Sequence, residues 1–208
     1  LVGPILLSIG KGRISCIFVA MILPITAYGD PVLRKKAQNI DADYPELQEL
    51  ISAMYDTMYH ASGVGLAAPQ IGKAIRLFVV DASPFADEEP ALEGFKKTFI
   101  NAEIFEETGT PFKFNEGCLS IPGIREDVFR RPTITIRYQD EHFQAHEEVY
   151  TGLAARIIQH EYDHIQGILF VDHISPLRKK MIQSKLEKIS KGEAKADYRL
   201  RFFLPKRR

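Results

Sequence analysis

The chain is predicted to be an α+β protein, on three observations. Two segments, 45–60 and 176–190, repeat apolar residues at helical spacing. Short runs at 76–81, 98–105 and 133–138 carry strand signals, β-branched and aromatic residues bounded by turn residues. These strands and helices do not alternate in the regular βαβ order of a parallel sheet. A length of 208 residues suits one domain with a sizeable core.

Each element follows from its local pattern. Residues 1–27 are apolar but interrupted by Gly10, Lys11, Gly12, Arg13 and Pro24, so no stretch reaches the roughly 18–20 unbroken apolar residues of a membrane span. Lys11 and Arg13 precede an apolar run from Ile14 to Leu23, as in a secretory signal, but the cleavage site after it is unconvincing. The preferred expectation is that Met21 is the initiator and residues 1–20 lie outside the domain. In the first helix, over Pro45 to His60, Leu47, Leu50, Ile51, Met54, Tyr55 and Met58 form one stripe, and Ser62-Gly63 ends the pattern. Arg76–Asp81, Thr98–Phe105 and Thr133–Tyr138 are expected strands, the last introduced by Pro132, and Asp87–Pro90 reads as an exposed loop. Thr151 is expected to cap a helix running to about Gln166, with Gly167 as its stop. The last helix, Pro176 to about Ser190, is expected to bury Leu177, Met181, Leu186 and Ile189.

Composition narrows the function classes. Lys plus Arg total 27, as do Asp plus Glu, so the chain lacks an overall basic footprint for nucleic acid, and DNA binding is not expected. Two cysteines, Cys16 and Cys118, imply no disulfide framework; so sparse a count fits the cytoplasm. Arg178, Lys179, Lys180, Lys185 and Lys188, then Lys206, Arg207 and Arg208, make a basic stretch at the end of the chain. Transient contact with ribosomal RNA is one reading of it; a solvated helix face with a frayed terminus is preferred.

The chemistry is concentrated in His160-Glu161-Tyr162-Asp163-His164. On a helix, positions i and i+4 share a face, so two imidazoles can grip one metal ion, and Glu161 lies close enough to take a proton from water beside it. Leu153 and Ile157, seven and three positions before His160, would continue that face as an apolar wall. One histidine alone would read as an ordinary core or surface residue; two at this spacing with a glutamate between them do not. A third ligand is needed, and downstream candidates are poor: His173 follows too closely, and Glu187 and Glu193 lie in or after the Lys-rich stretch. Upstream, Glu116-Gly117-Cys118-Leu119-Ser120 offers a credible thiolate, although Cys118 taken alone reads better as a small buried apolar residue. Gly63-Val64-Gly65-Leu66-Ala67-Ala68-Pro69-Gln70 clears side-chain bulk for a close backbone approach and lacks the spacing of a phosphate loop. Its Gln70 either aims an amide at a developing oxyanion or ends a plain connector.

Taken together and in this order, Gly63–Gln70, Glu116–Ser120 and Gln159–His164 resemble the three motifs of the peptide deformylase family, G-x-G-L-A-A-x-Q, E-G-C-L-S and Q-H-E-x-D-H. The likeness continues through Leu23-Pro24-Ile25 and Tyr28–Arg34 to Ser175-Pro176-Leu177, covering nearly everything from Met21 to about Ser190. It implies antiparallel and mixed sheets packed around a central metal-binding helix, with a C-terminal helix. The implied division is a catalytic domain at 21–192 and a basic tail at 193–208.

The resemblance also implies roles. Cys118, His160 and His164 would be the metal ligands, for Fe(2+) first and Zn(2+), Ni(2+) or Co(2+) otherwise. Glu161 would act as general base and then general acid, and the Gln70 side chain with the Leu119 backbone N–H would form the oxyanion hole. The substrate, the N-formylmethionine end of a nascent polypeptide, would lie along Val64, Gly65 and Gly117 and release formate. Its methionine side chain would rest on Val64, Leu153 and Ile157, with Phe114 nearby. Ser62 stands where many members carry an acid, and Arg125 is a weak candidate for substrate contact. Asp163 and Gln159 are either partners of the ligands or plain helix-surface residues. A zincin-like metallopeptidase and an inactive relative that binds nascent chains or ribosomes are the alternatives; Cys118 tells against the first, and the retention of Cys118 and Glu161 against the second.

Overall fold

A strand buried on both faces sets the layering of this computed structural model, which describes residues 20–203. In chain order the strands are β1 (Ile25–Thr26), β2 (Gly65–Ala67), β3 (Leu77–Asp81), β4 (Lys96–Thr108), β5 (Phe112–Cys118), β6 (Ile121–Arg130), β7 (Thr133–Gln139), β8 (Ala145–Thr151) and β9 (Leu200–Arg201). The helices are α1 (Leu47–His60), α2 (Gly152–Gln166) and α3 (Pro176–Ser190). A five-stranded antiparallel sheet runs in the order β2-β3-β4-β7-β8, β5 and β6 form a separate hairpin, and β1 pairs with β9 in parallel. In β3, Phe78 and Val80 face α2 through Ala155, Ile158 and Ile165, while Leu77 and Val79 face α1 through Met54 and Met58. The period of two along the strand thus divides the core between two helices. A third cluster joins the β5–β6 hairpin to α3 through Ile121, Val128, Ile182 and Leu186. These sheets around a buried α2, with α3 C-terminal, make the α+β architecture expected.

All six stripe residues of α1 are buried, and α3 spans the expected residues. Two expectations need correction. First, Leu177 and Met181 are 71% and 63% exposed; α3 buries Ile182, Leu186 and Ile189 instead. The buried stripe begins at Ile182, and the half-exposed Arg178 reaches across to donate to both carboxylate oxygens of the buried Glu126 at 2.9 Å. Second, Thr151 ends β8 and makes no side-chain cap; the carboxylate of Glu89 accepts instead from Leu153 N at 3.2 Å, bringing negative charge to the helix start. Gly167 does stop α2, in the left-handed conformation at φ 77°, with Ile168 N donating to Asp163 O. Beyond α3 the chain packs back on the domain: Ile25 N and Ala27 N donate to Arg199 O and Arg201 O as β1 pairs with β9. Residues 1–19, with Cys16, and the basic Lys206, Arg207 and Arg208 lie outside the described residues.

The observed face of α3 predicts unequal costs. Ile182→Ala is expected to lose ~2–4 kcal/mol of stability and Met181→Ala no more than ~0.5 kcal/mol in urea unfolding. Equal losses would contradict this packing.

Candidate metal centre

The local fold of α2 converts sequence spacing into a converging set of donors. Leu153, Ile157, His160 and His164 lie on one helical stripe, and the end of β5 brings Cys118 against it. Donor atoms of Cys118, His160 and His164 all lie within 4.8 Å of one another, and His164 Nε2 is 3.2 Å from Cys118 Sγ. Burial alone would raise the Cys118 thiol, but His164 and His160 outweigh it and bring its pKa down to about 5, into the thiolate range at neutral pH. Burial likewise opposes charge on His160, whose pKa is nevertheless held well above the ordinary value by Cys118 and Glu116. One thiolate and two imidazoles at this spacing fit a tetrahedral ion of the zinc or ferrous kind.

Glu116 orients the first of these imidazoles. His160 Nδ1 donates to Glu116 Oε2 at 3.0 Å, which leaves Nε2 for the cluster. The same carboxylate accepts two bonds from Arg130, at 2.8 and 3.1 Å, and one from Arg156 at 3.1 Å. These hydrogen bonds override the burial that would otherwise raise it, and hold its pKa far below the usual carboxylate range. Arg130 also donates to Asp163 at 2.7 Å, and Asp163 accepts from His173 at 2.8 Å. Asp163 therefore reaches a ligand only through Arg130 and Glu116. Gln159 is buried and donates to Arg131 O and Ala155 O, touching no ligand. Neither is a surface residue.

Glu161 sits fully inside the site, with Oε2 buried and without a hydrogen-bond partner. Burial pushes its carboxyl up to about 7, against the pull of His160 and His164, so it can both take and give a proton near neutrality. A Cβ on Gly65 would stand 2.4 Å from Glu161 Oε1, so only glycine at that position lets β2 pass so close to this carboxylate. The Gln70 amide is fixed in turn: Oε1 accepts from Ala67 N at 2.8 Å, and Nε2 points to Cys118 Sγ at 3.5 Å and Ser120 Oγ at 3.4 Å. Gln70 Nε2 thus faces the donor cluster from the cavity wall.

A cavity of about 650 Å³ opens over this cluster. Val64, Gly65, Gln70, Gly117, Cys118, Leu119, Leu153, Ile157, His160 and Glu161 all line it, as do Phe114, Ser62 and Arg125; His164 lies behind, 1% exposed. Arg125 is held at its rim by two bonds to Asn115. Sequence reasoning missed Glu116 as the support of His160, although it lies within a quoted motif, and missed Phe85 and the 195–198 stretch of the wall. Glu116 carried a signal, an acid two residues before the cysteine; the others carried none, since only tertiary folding brings them here.

Replacing the support should loosen the ion. Glu116→Gln is expected to lower metal affinity by about 10–100-fold in chelator competition, and to lower Tm because Arg130 and Arg156 lose their carboxylate. Unchanged affinity would remove Glu116 from the site.

Comparison with known proteins agrees with this geometry. The family model for polypeptide deformylase matches residues 22–180. A peptide deformylase of Christiangramia forsetii is 60% identical over 189 residues, 88% of this chain and 96% of that protein. One of Flavobacterium johnsoniae is 57% identical over 194 residues, 90% of this chain and 99% of that protein. The crystal structure of a peptide deformylase from Legionella pneumophila aligns with a TM-score of 0.72 at 40% identity, covering 84% of this chain and 98% of that one. On the sequence motifs, the donor cluster and these matches, the chain belongs to the polypeptide deformylase family.

Proposed function

We propose that this chain is a metal-dependent hydrolase that removes the formyl group from the N-terminal formylmethionine of newly made polypeptides, releasing formate. The observation that carries this reading is the convergence of Cys118, His160 and His164 on a cavity that also holds Glu161 and the Gln70 amide. Cys118 Sγ and Nε2 of His160 and His164 would hold the ion, ferrous iron in first place and zinc, nickel or cobalt otherwise. Bound there, it would supply Lewis acidity and activate water at neutral pH.

The remaining steps belong to side chains and backbone. The Glu161 carboxylate takes a proton from the attacking water and passes it to the leaving amine of methionine. Gln70 Nε2 and the Leu119 N–H donate to the oxyanion that develops on the formyl oxygen, each such preorganised donor being worth ~3–4 kcal/mol. The substrate backbone lies extended between Val64-Gly65 and Gly117, and its methionine side chain rests on Val64, Leu153 and Ile157 beside Phe114. Nascent chains place the activity in the cytoplasm, with the catalytic domain at 21–192. No described helix is long and apolar enough to cross a membrane.

Formate release from a formyl-Met peptide, compared with hydrolysis of an internal peptide bond, tests the reading with protein loaded anaerobically with ferrous iron. Release by wild type, and its loss by ~10²-fold or more in a still metal-loaded Glu161→Ala, is the expected result. No release by metallated wild type would overturn it. Transient ribosome contact through α3 is the accompanying proposal, motivated by Lys179, Lys180 and Lys185. Arg178 and Lys179 already pair with Glu126 and Asp172, which favours the plainer reading of a solvated face. Reversal of the three lysine charges without change in ribosome co-sedimentation would remove the contact.

A further inference from the structure

After α3 the chain returns across the molecule as a strap, residues 193–203, beyond the 22–180 span that the family model matches. β9 within it pairs with β1, and Arg201 fastens the pair, donating to Thr26 Oγ1 at 2.8 Å and lying 3.6 Å from Asp30 Oδ2. The resulting ribbon grips the turn that follows Cys118. Tyr198 Oη donates to Leu119 O at 2.8 Å, and Tyr28 N, just after β1, donates to Ser120 O at 2.8 Å. Two successive carbonyls of one turn are thus held by the two arms of one ribbon. On its side-chain face Leu119 is close-packed as well, since a Cβ on Gly63 would meet Leu119 Cδ1 at 2.8 Å. Tyr198 itself lines the cavity over the metal cluster. Burial raises its hydroxyl to about 12, so it remains a donor across the neutral range.

We propose that Tyr198 is a positioning residue for the reaction: by holding the Leu119 carbonyl it fixes the Leu119–Ser120 peptide plane, and through Leu119 Cα it limits the turn of the preceding Cys118–Leu119 plane, whose N–H is aimed into the cavity at the developing oxyanion. The inference rests on the deformylase reading of the site. With Leu119 O unheld, the peptide planes on both sides of Leu119 Cα can rotate about its φ and ψ, and a donor that must reorient at the moment of reaction loses the benefit of preorganisation. Gly63, Tyr28 and Tyr198 together remove that freedom.

The test uses the full chain loaded with ferrous iron, as wild type, Tyr198→Phe and Tyr198→Ala, on a formyl-Met peptide. Tyr198→Phe keeps the ring and loses one hydrogen bond, so its Tm should fall by no more than about 3 °C. Its kcat is expected to drop by about tenfold with KM within about twofold and metal content unchanged. In zinc-loaded, nitrogen-15-labelled protein, the Leu119 and Ser120 amides should shift and exchange faster, while those of α2 stay fixed. Tyr198→Ala should show the same loss of kcat with a larger fall in Tm. Full rescue of kcat by Tyr198→Phe relative to Tyr198→Ala would mean that the ring only packs, and the proposal fails. A rise in KM with kcat unchanged, or a parallel loss of metal, also overturns it. An inactive wild type would instead defeat the deformylase reading on which it rests.

Discussion

The buried carboxylate of Glu116 is the constraint to which the rest of the site conforms. It stands directly opposite Glu126 across the β5–β6 hairpin, and both are buried. Two like charges facing each other away from water repel, so each needs a cation. Arg130 from β6 and Arg156 from α2 answer Glu116, and Arg178 from α3 answers Glu126. The hairpin is thereby fastened to both helices by the same charges that fix the His160 ring. Catalytic orientation and tertiary docking are one interaction network here.

Within that frame the division of labour is between rigid elements and close backbone approach. α2 supplies both imidazoles and Glu161 from a single helical face, so their mutual geometry is that of the helix itself. What must come from elsewhere arrives at short range: Cys118 at a strand end, Gln70 from a tight turn after β2, and the backbone of Gly65 against Glu161. The small residues of that loop serve proximity rather than flexibility.

The donors and most of the cavity were legible in the sequence because short motifs hold them at fixed spacing; periodicity found α1, which starts two residues later at Leu47, and α3, while the Gly167 stop marked the end of α2. The hairpin was not. Along β6 the buried positions are Ile121, Ile124, Glu126, Val128 and Arg130, so two charged residues interrupt what would otherwise be an apolar alternation. β8 hid for the opposite reason: only Tyr150 of its seven residues is buried, as suits the edge of the sheet. The inward face of α3 was misread at its first turns, Ile182 being buried where Leu177 and Met181 were expected. In the hairpin, Glu126 and Arg130 occupy interior positions that only distant partners justify, and a partner 52 or 14 residues away leaves no trace in local pattern.

The parallel pairing of Ile25 with Leu200 has a consequence for how the molecule is made. These residues sit near opposite ends of the described chain, so closing this ribbon encloses almost the whole domain in one loop. Closure entropy grows only slowly with loop length, and two strand residues with a few hydrogen bonds can offset it once the core is formed. The ribbon can therefore close onto a body already assembled. A chain still being made can hold its ion-binding helix and its central sheet, yet the turn after Cys118 gains its second arm only once residues 193–201 have emerged.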